Sequence, residues 1–177
     1  MLSPTAAERA ARCPGDELVR DVTLTMDRGF VVEASPAAVM PWLVQLGKGR
    51  AGWYFPRWLE RFLPAKNRAI RVIDPQWQDL AVGDVVPDYG KDETLTLAAR
   101  DANTLVFTSW RKHMQVSWVL MLRPVRARDG REGTRVHLRL RLGPVKHPRL
   151  VGLYGELFDY LTILGMAAGL RERVRET

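Results

Sequence analysis

The chain has 177 residues, of which 46% are hydrophobic and 27% are charged, a balance typical of a single globular domain. Its 27 Lys and Arg residues outnumber its 20 Asp and Glu residues, and the net charge of +7 favours acidic partners without bearing on the fold. The single cysteine, Cys13, excludes an internal disulfide framework, and no apolar run reaches the roughly 20 residues of a membrane span.

The first 17 residues predict an N-terminal arm, loose or helical, that ends near the Pro14-Gly15 turn. This arm lacks the apolar centre of a secretory signal, so we expect a cytoplasmic protein. Cys13 has no histidine or pocket signal beside it, and a nucleophilic thiol is not expected. Residues 18–177 are predicted to form one domain.

Residues 18–34 alternate between apolar and polar side chains, which predicts a half-buried strand with a bend or bulge at residues 27–29. Ser35 is a suitable N-cap and Pro36 suits the first position of a helix over 36–46, which Gly47 would end. A glycine-rich turn then leads to a second short helix that begins near Pro56 and stops before Pro64.

Four strands with clear turn signals are predicted over 94–100, 104–111, 114–125 and 134–142, and a further short strand within 69–73 or 84–87. The last strand alternates Leu or Val with Arg or His137, so we expect its basic face to be solvated. A helix over 148–176 completes the chain. Its apolar positions recur at helical spacing: Leu150, Leu153, Leu157, Leu161, Leu164 and Ala168.

Part of this pattern resembles the SRPBCC superfamily (START/Bet v 1-like), and within it the bacterial branch described as polyketide cyclase- or dehydrase-like. The residues that carry the resemblance are the Ala34-Ser35-Pro36 turn, Trp42, Gln45, Gly47, the Gly52-Trp53-Tyr54 run and the Gln78-Asp79-Leu80 run that leads into the sheet. The resemblance implies an α+β helix-grip fold, in which a curved antiparallel sheet wraps around a long C-terminal helix, with two short helices after the first strand. It also implies an apolar cavity between the sheet and that helix.

The sequence holds no nucleotide-binding loop, metal-ligand spacing or nucleophile elbow, so we predict neither a cofactor nor a metal. Trp42 and Trp118 are expected to fill the core, and Ser117 to face water. On the last helix the polar residues nearest the apolar stripe are Glu156, Asp159, Tyr160 and Thr162. The residues predicted to line the cavity are Trp53, Tyr54, Trp58, Trp77, Phe107, Ser109, His113, Trp118, Leu157, Tyr160, Leu161 and Leu164.

Three functions compete at this point. The first is binding of an apolar or aromatic small molecule of lipid, polyketide or isoprenoid type. The second is a cyclase- or dehydratase-type enzyme that uses polar cavity groups as acid and base, with an acidic carrier protein docked on the basic sheet face. The third, which we disfavour, is association of nucleic acid or the ribosome with that same face. Its residues are Arg126, Arg128, Arg131, Arg135, Arg139 and Arg141. The protein is expected to be a monomer or a homodimer.

Overall fold

A computed structural model describes residues 2–90, 92–126 and 130–177 of the chain. Three short 3-10 turns, Asp16–Leu18, Ala65–Asn67 and Pro75–Trp77, lie between its regular elements. In chain order these elements are α1 (Ala6–Ala10), β1 (Leu24–Val32), α2 (Pro36–Gln45), α3 (Arg57–Glu60), β2 (Val85–Pro87), β3 (Thr94–Arg100), β4 (Thr104–Arg111), β5 (Met114–Arg126), β6 (Glu132–Gly143) and α4 (Pro148–Glu176).

The six strands form one curved antiparallel sheet in the order β1-β6-β5-β4-β3-β2. Helices α2 and α4 pack on one side of this sheet, which we call the inner face. The predicted α+β helix-grip fold, with a long C-terminal helix and two short helices after the first strand, is confirmed.

Capping residues, prolines and glycines in the sequence predicted most element boundaries correctly. The Ser35 hydroxyl accepts from the Ala38 amide at 3.3 Å, and Pro36 opens α2. Gly47, with a φ of 133°, follows the end of the same helix. The predicted second helix is shorter than expected, and the predicted extra strand is β2, while residues 69–73 form no strand.

The predicted bend in the first strand is absent. β1 pairs with β6 without interruption, from Leu24 opposite Leu142 to Val32 opposite Thr134. The sheet is irregular elsewhere, where the pairing of β3 with β4 shifts between Leu97 and Ala99. Because β1 continues through residues 27–29, its side chains keep alternating between the two faces.

The other side of the sheet, the outer face, is covered by the N-terminal arm, so the prediction that it is solvated was wrong. Leu2 and Cys13 of the arm are both buried. His137 and Ser117 are fully buried as well, and the His137 ring nitrogen Nε2 lies 2.7 Å from a carboxylate oxygen of Asp27. The arm is therefore packed rather than loose, while its separation from the domain at residue 17 stays a prediction.

Ion pairs hold the arm to the arginines of β6. Arg135 binds Glu8 at 2.7 Å, and Arg139 binds Asp16 at 3.1 Å and Asp27 at 2.9 Å. The hydrogen bond from Arg135 holds the pKa of Glu8 at about 2. Arg141 is paired with Asp16 at 3.2 Å. Three arginines of the predicted basic face are thus neutralised by carboxylates of the same chain. Arg128, which also belongs to the predicted face, lies outside the described residues.

Candidate functional site

The inner face of the sheet is built from parallel rows of side chains that cross the strands. One row runs from Met26 through Leu140, Trp118 and Phe107 to Leu97, each residue opposite the next on the neighbouring strand. Ser109 belongs to the row on one side of it, opposite Val116. The inner face is therefore apolar along most of its width, with Phe107 and Trp118 on β4 and β5 and Phe30 on β1.

Four aromatic rings cluster at the centre of this face. Trp53 stacks on Trp118 with ring centroids 6.1 Å apart and planes 25° apart. Phe107 lies 5.9 Å from Trp118, and Tyr89 meets Trp53 edge-on at 5.9 Å. The indole N–H of Trp53 donates to the carbonyl of Thr162 in α4 at 3.2 Å. The cluster therefore joins the sheet, the segment after the glycine-rich turn and the last helix.

The space enclosed at this cluster is small. Its volume is about 20 Å³, and its walls include Trp53, Phe107, Trp118, Tyr89 and Pro87. That volume accommodates about one water molecule, whereas pockets for small ligands measure roughly 300–1,000 Å³. Binding of a ligand between the rings therefore requires the walls to separate.

A buried ionic group lies beside the apolar rows. Arg28 projects from β1 onto the inner face and meets two carboxylates of α4, Glu156 at 2.5 Å and Asp159 at 2.8 Å. The side chains of Arg28 and Asp159 are only 11% and 14% exposed. Burial raises the pKa of Asp159 to about 6, despite the opposing effect of the Arg28 charge. The Tyr160 ring lies against the same guanidinium, 6.0 Å away.

The ionic group is close to the aromatic cluster. Arg28 lies opposite Leu138, which lies opposite Leu120, and Leu120 is two residues from Trp118 along β5. Since neighbouring strands are separated by about 4.8 Å and successive residues by about 3.3 Å, the backbones at Arg28 and Trp118 lie about 12 Å apart. A molecule of two or three fused rings spans that distance, so one ligand can contact both.

The second half of α4 is fixed to the body of the molecule by a buried arginine. Arg173 is fully buried, and it donates to the carbonyls of Ile70, Phe55 and Ala69 at 2.9–3.1 Å. Its guanidinium also contacts Glu60 at 2.5 Å and lies over the Tyr54 ring, 4.5 Å from its centroid. This end of the helix is thereby fixed to the segments around Phe55 and Ile70.

The structure brings together only part of the predicted cavity lining. Trp53, Phe107 and Trp118 meet in the aromatic cluster, and Ser109 lies buried one row away. The outward face of α4 carries Leu157, Tyr160, Leu161 and Leu164, although Tyr160 also reaches Arg28 from its edge.

The remaining predicted lining residues lie apart from the cluster. Tyr54 is buried in the core, where its hydroxyl donates to the Trp42 carbonyl at 2.8 Å. Trp77 packs against the Arg50 guanidinium, while Trp58 and His113 are exposed at the surface. Whether any of these residues contacts a ligand stays a prediction.

Arg28 was missed because residues 27–29 were interpreted as a bend. A signal was present: Arg28 occupies an inward position between Met26 and Phe30 in a strand with period-two alternation. A charged residue at such a position requires a buried partner. Asp159 had been recognised as a polar residue near the apolar stripe, but nothing in the sequence indicated that it would pair with Arg28.

No protein-family model and no curated protein matches this chain. Solved structures do match. A Rhodobacter sphaeroides protein is 13% identical, with a TM-score of 0.51, over 88% of this chain and 95% of its own. This likeness shows a shared fold alone.

Two further solved structures are similar over most of their length. A START superfamily protein from Mycobacterium smegmatis is 14% identical, with a TM-score of 0.44, over 86% of this chain and 97% of its own. An uncharacterised protein from Rhizobium leguminosarum is 9% identical, with a TM-score of 0.42, over 87% of this chain and 95% of its own.

The described residues were also compared with the requirements of a metal site and of a membrane-spanning helix. They include no group of three or more His, Cys, Asp or Glu side chains placed to hold a metal ion. By length and composition alone, α4 would qualify as a membrane-crossing helix, a test that core helices of soluble proteins also pass.

Proposed function

We propose that this protein binds a largely apolar, aromatic small molecule on the inner face of the sheet, between the Trp53–Trp118 stack and α4. The observation that carries the proposal is the position of this stack beside a buried ionic group on a face that is otherwise apolar. Ligand sites of this kind combine apolar and aromatic walls with a few fixed polar groups.

The ionic group narrows the class of ligand. Arg28 and Asp159 provide a buried donor and a carboxyl group about 12 Å from the tryptophan stack. We therefore infer a planar ring system with a carbonyl, hydroxyl or carboxylate at one end, as in aromatic polyketides, rather than a plain hydrocarbon. The small space between the rings indicates that Trp53 or Tyr89 must move when such a ligand enters.

The proposal is tested by titrating the protein with a hydroxyanthraquinone, a naphthoate and a long-chain fatty acid, and by recording thermal shift and tryptophan fluorescence. We expect the hydroxyanthraquinone to bind, and Trp118→Ala to weaken its binding at least about tenfold, since stacking and burial of an indole contribute over 1 kcal/mol. Trp110→Ala is the matched control, because Trp110 is an exposed tryptophan on β4, outside the cluster. Equal losses in both variants, or no binding of any probe, would count against the site.

A second candidate function, a cyclase- or dehydratase-type enzyme, is favoured by one observation. Burial raises the pKa of Asp159 to about 6, close to the range in which a carboxyl group both takes and returns a proton at neutral pH. Under this alternative Asp159 would be the acid or base and Arg28 would polarise a ketone oxygen. Chemical conversion of a bound polyketide, absent in Asp159→Asn, would distinguish the enzyme from the binding protein.

An acidic carrier protein, the other partner predicted from the sequence, stays a proposal that we rank below the small-molecule ligand. A docked acidic carrier protein would need free arginines, but Arg135, Arg139 and Arg141 are paired with carboxylates of the arm and of β1. We therefore rank a docked carrier protein below ligand binding. The cytoplasmic location and the polyketide cyclase-like branch remain predictions from the sequence.

A further inference from the structure

The first half of α4 carries a stripe of large apolar side chains on its solvent side. Eight residues between 150 and 164 are 44–71% exposed. We call them the α4 stripe; they are Leu150, Leu153, Tyr154, Leu157, Phe158, Tyr160, Leu161 and Leu164. Single exposed apolar residues are common, whereas a contiguous patch of this size marks an interaction surface.

The helix cannot simply rotate to bury this stripe. Its opposite side packs closely on β1, where a Cβ atom on Gly152 or Gly155 would meet Leu24 or Met26 at 3.3–3.4 Å. That side also holds the ion pairs of Arg28 with Glu156 and Asp159. Because rotation would separate a buried arginine from its carboxylates, the stripe needs a partner from outside this chain.

Seven of the eight stripe residues are arranged symmetrically about Leu157, whereas Phe158 has Glu156 as its counterpart. Its leucines lie at positions −7, −4, 0, +4 and +7 relative to that residue, and its two tyrosines at −3 and +3. When two copies of the helix pack antiparallel with Leu157 on a two-fold axis, Leu150 faces Leu164, Leu153 faces Leu161 and Tyr154 faces Tyr160. A two-fold interface requires such self-complementarity, since each residue contacts a counterpart related by symmetry.

We propose that the α4 stripe binds a second copy of this chain, and that the two α4 helices pack antiparallel across Leu157. The exposed area of the stripe is roughly 800 Å², which is about what each partner contributes to a stable interface. The charged counterpart within this register is Glu156, which would face Phe158 and is paired with Arg28 of its own chain, so no like charges meet along the seam. The proposal concerns the outward side of α4 and is independent of the ligand site on the inner face.

A membrane surface or a loose lipid would also cover apolar side chains, but neither would require a symmetric sequence. A membrane span over the first half of α4 would also carry Arg149, Glu156 and Asp159 into the hydrocarbon and separate the carboxylates from Arg28. The observations therefore favour the second copy, and the membrane becomes an outcome of the test.

Cysteine cross-linking tests the predicted register. In a Cys13→Ala background, we expect Leu157→Cys to form a covalent dimer on mild oxidation, because the two residues meet on the axis. Leu150→Cys should not cross-link, since its symmetry mate lies about 21 Å away along the helix. Equal cross-linking at both positions, or none at position 157, would overturn the antiparallel pairing.

Charge exchange tests the same pairing in the uncross-linked protein. Sedimentation velocity should show a dimer for the native chain and a monomer for Leu150→Lys alone. Adding Leu164→Glu should restore the dimer, because the new lysine and glutamate face each other across the axis. Adding Leu161→Glu instead should leave a monomer, since that residue faces Leu153. A native chain that is monomeric at all concentrations, or that sediments only with phosphatidylcholine vesicles, would refute the proposal.

Discussion

Helix α4 takes part in two buried ionic groups, one around Arg173 and one around Arg28 and Asp159. They differ in how fully opposite charges and hydrogen-bond partners compensate the buried charge. Arg173 uses its donors on carbonyls and on Glu60, so its charge is surrounded by acceptors although burial lowers its pKa. Among the described residues, Asp159 has only Arg28 as an opposite charge, and Glu156 competes for the same guanidinium. The free-energy cost of burying the Asp159 carboxylate is therefore not fully compensated, and burial raises its pKa from 3.8 to about 6.

This shift predicts a pH dependence of stability that one substitution removes. Since the folded protein binds the Asp159 proton more tightly than the unfolded chain, the contribution is fully present below about pH 4 and is lost as the pH rises through 6. Between about pH 5 and pH 8 the loss amounts to about 1 kcal/mol. Asp159→Asn should flatten this part of the profile and leave Glu156 to pair with Arg28.

Urea unfolding midpoints at the two pH values provide the measurement. Asp79→Asn is the control, because Asp79 is an exposed aspartate remote in sequence from Arg28 and α4. A profile for Asp159→Asn as steep as that of the native protein would show that burial of Asp159 does not produce the slope.

At the scale of elements, α4 shows two different uses of glycine. Gly152 lies where an added Cβ would make an ordinary contact with Leu24 at 3.4 Å. Gly169 lies against the backbone of Phe55, where the same atom would come within 2.7 Å of three main-chain atoms. The first glycine leaves room that could be filled, whereas the second permits a close approach of two backbones.

Two alanine substitutions should therefore have opposite effects. We expect Gly152→Ala to stabilise the protein by up to about 1 kcal/mol, since alanine favours the helix. Gly169→Ala should destabilise it by about 1–3 kcal/mol, because the Phe55 backbone must move. Thermal melting of both variants beside the native chain is the measurement, and destabilisation of equal size in both would refute the distinction.

Element boundaries could be predicted from the sequence because they depend on local rules. Ser35, Pro36 and Gly47 define α2 through capping and backbone conformation alone. What covers each face could not be predicted in the same way. Alternation in β6 showed that one face was basic, but not that Glu8 and Asp16 of the arm would neutralise it. Helical spacing likewise identified the five leucines of the α4 stripe, while their outward direction depends on the pairing of Arg28 with Glu156 and Asp159.

At the scale of the whole molecule, part of the positive charge on the sheet is neutralised by acidic residues of the same chain. Arg135, Arg139 and Arg141 are bound to carboxylates and are largely covered by the arm. Non-specific binding of nucleic acid depends on arginines and lysines that are free to neutralise phosphates. These three arginines are therefore poorly placed to bind nucleic acid.

Accordingly, the native chain should bind a duplex oligonucleotide no more tightly than about 100 μM at physiological salt, as fluorescence anisotropy would measure. The double variant Glu8→Gln with Asp16→Asn removes the carboxylate partners of Arg135 and Arg141, while Arg139 stays paired with Asp27. It should bind more tightly, with a steep salt dependence. Tight, salt-sensitive binding by the native chain, unchanged in the variant, would contradict this account of the outer face.

The arm also shields the one thiol of the chain. Cys13 is buried against the outer face beside Val106 and Val119, and burial raises the pKa of its thiol. A thiol reagent can reach it only while the arm is lifted, so the labelling rate of the native protein reports how often that happens. Compared with the rate for the unfolded chain, it gives the free energy of detaching this one segment, separately from the free energy of global unfolding.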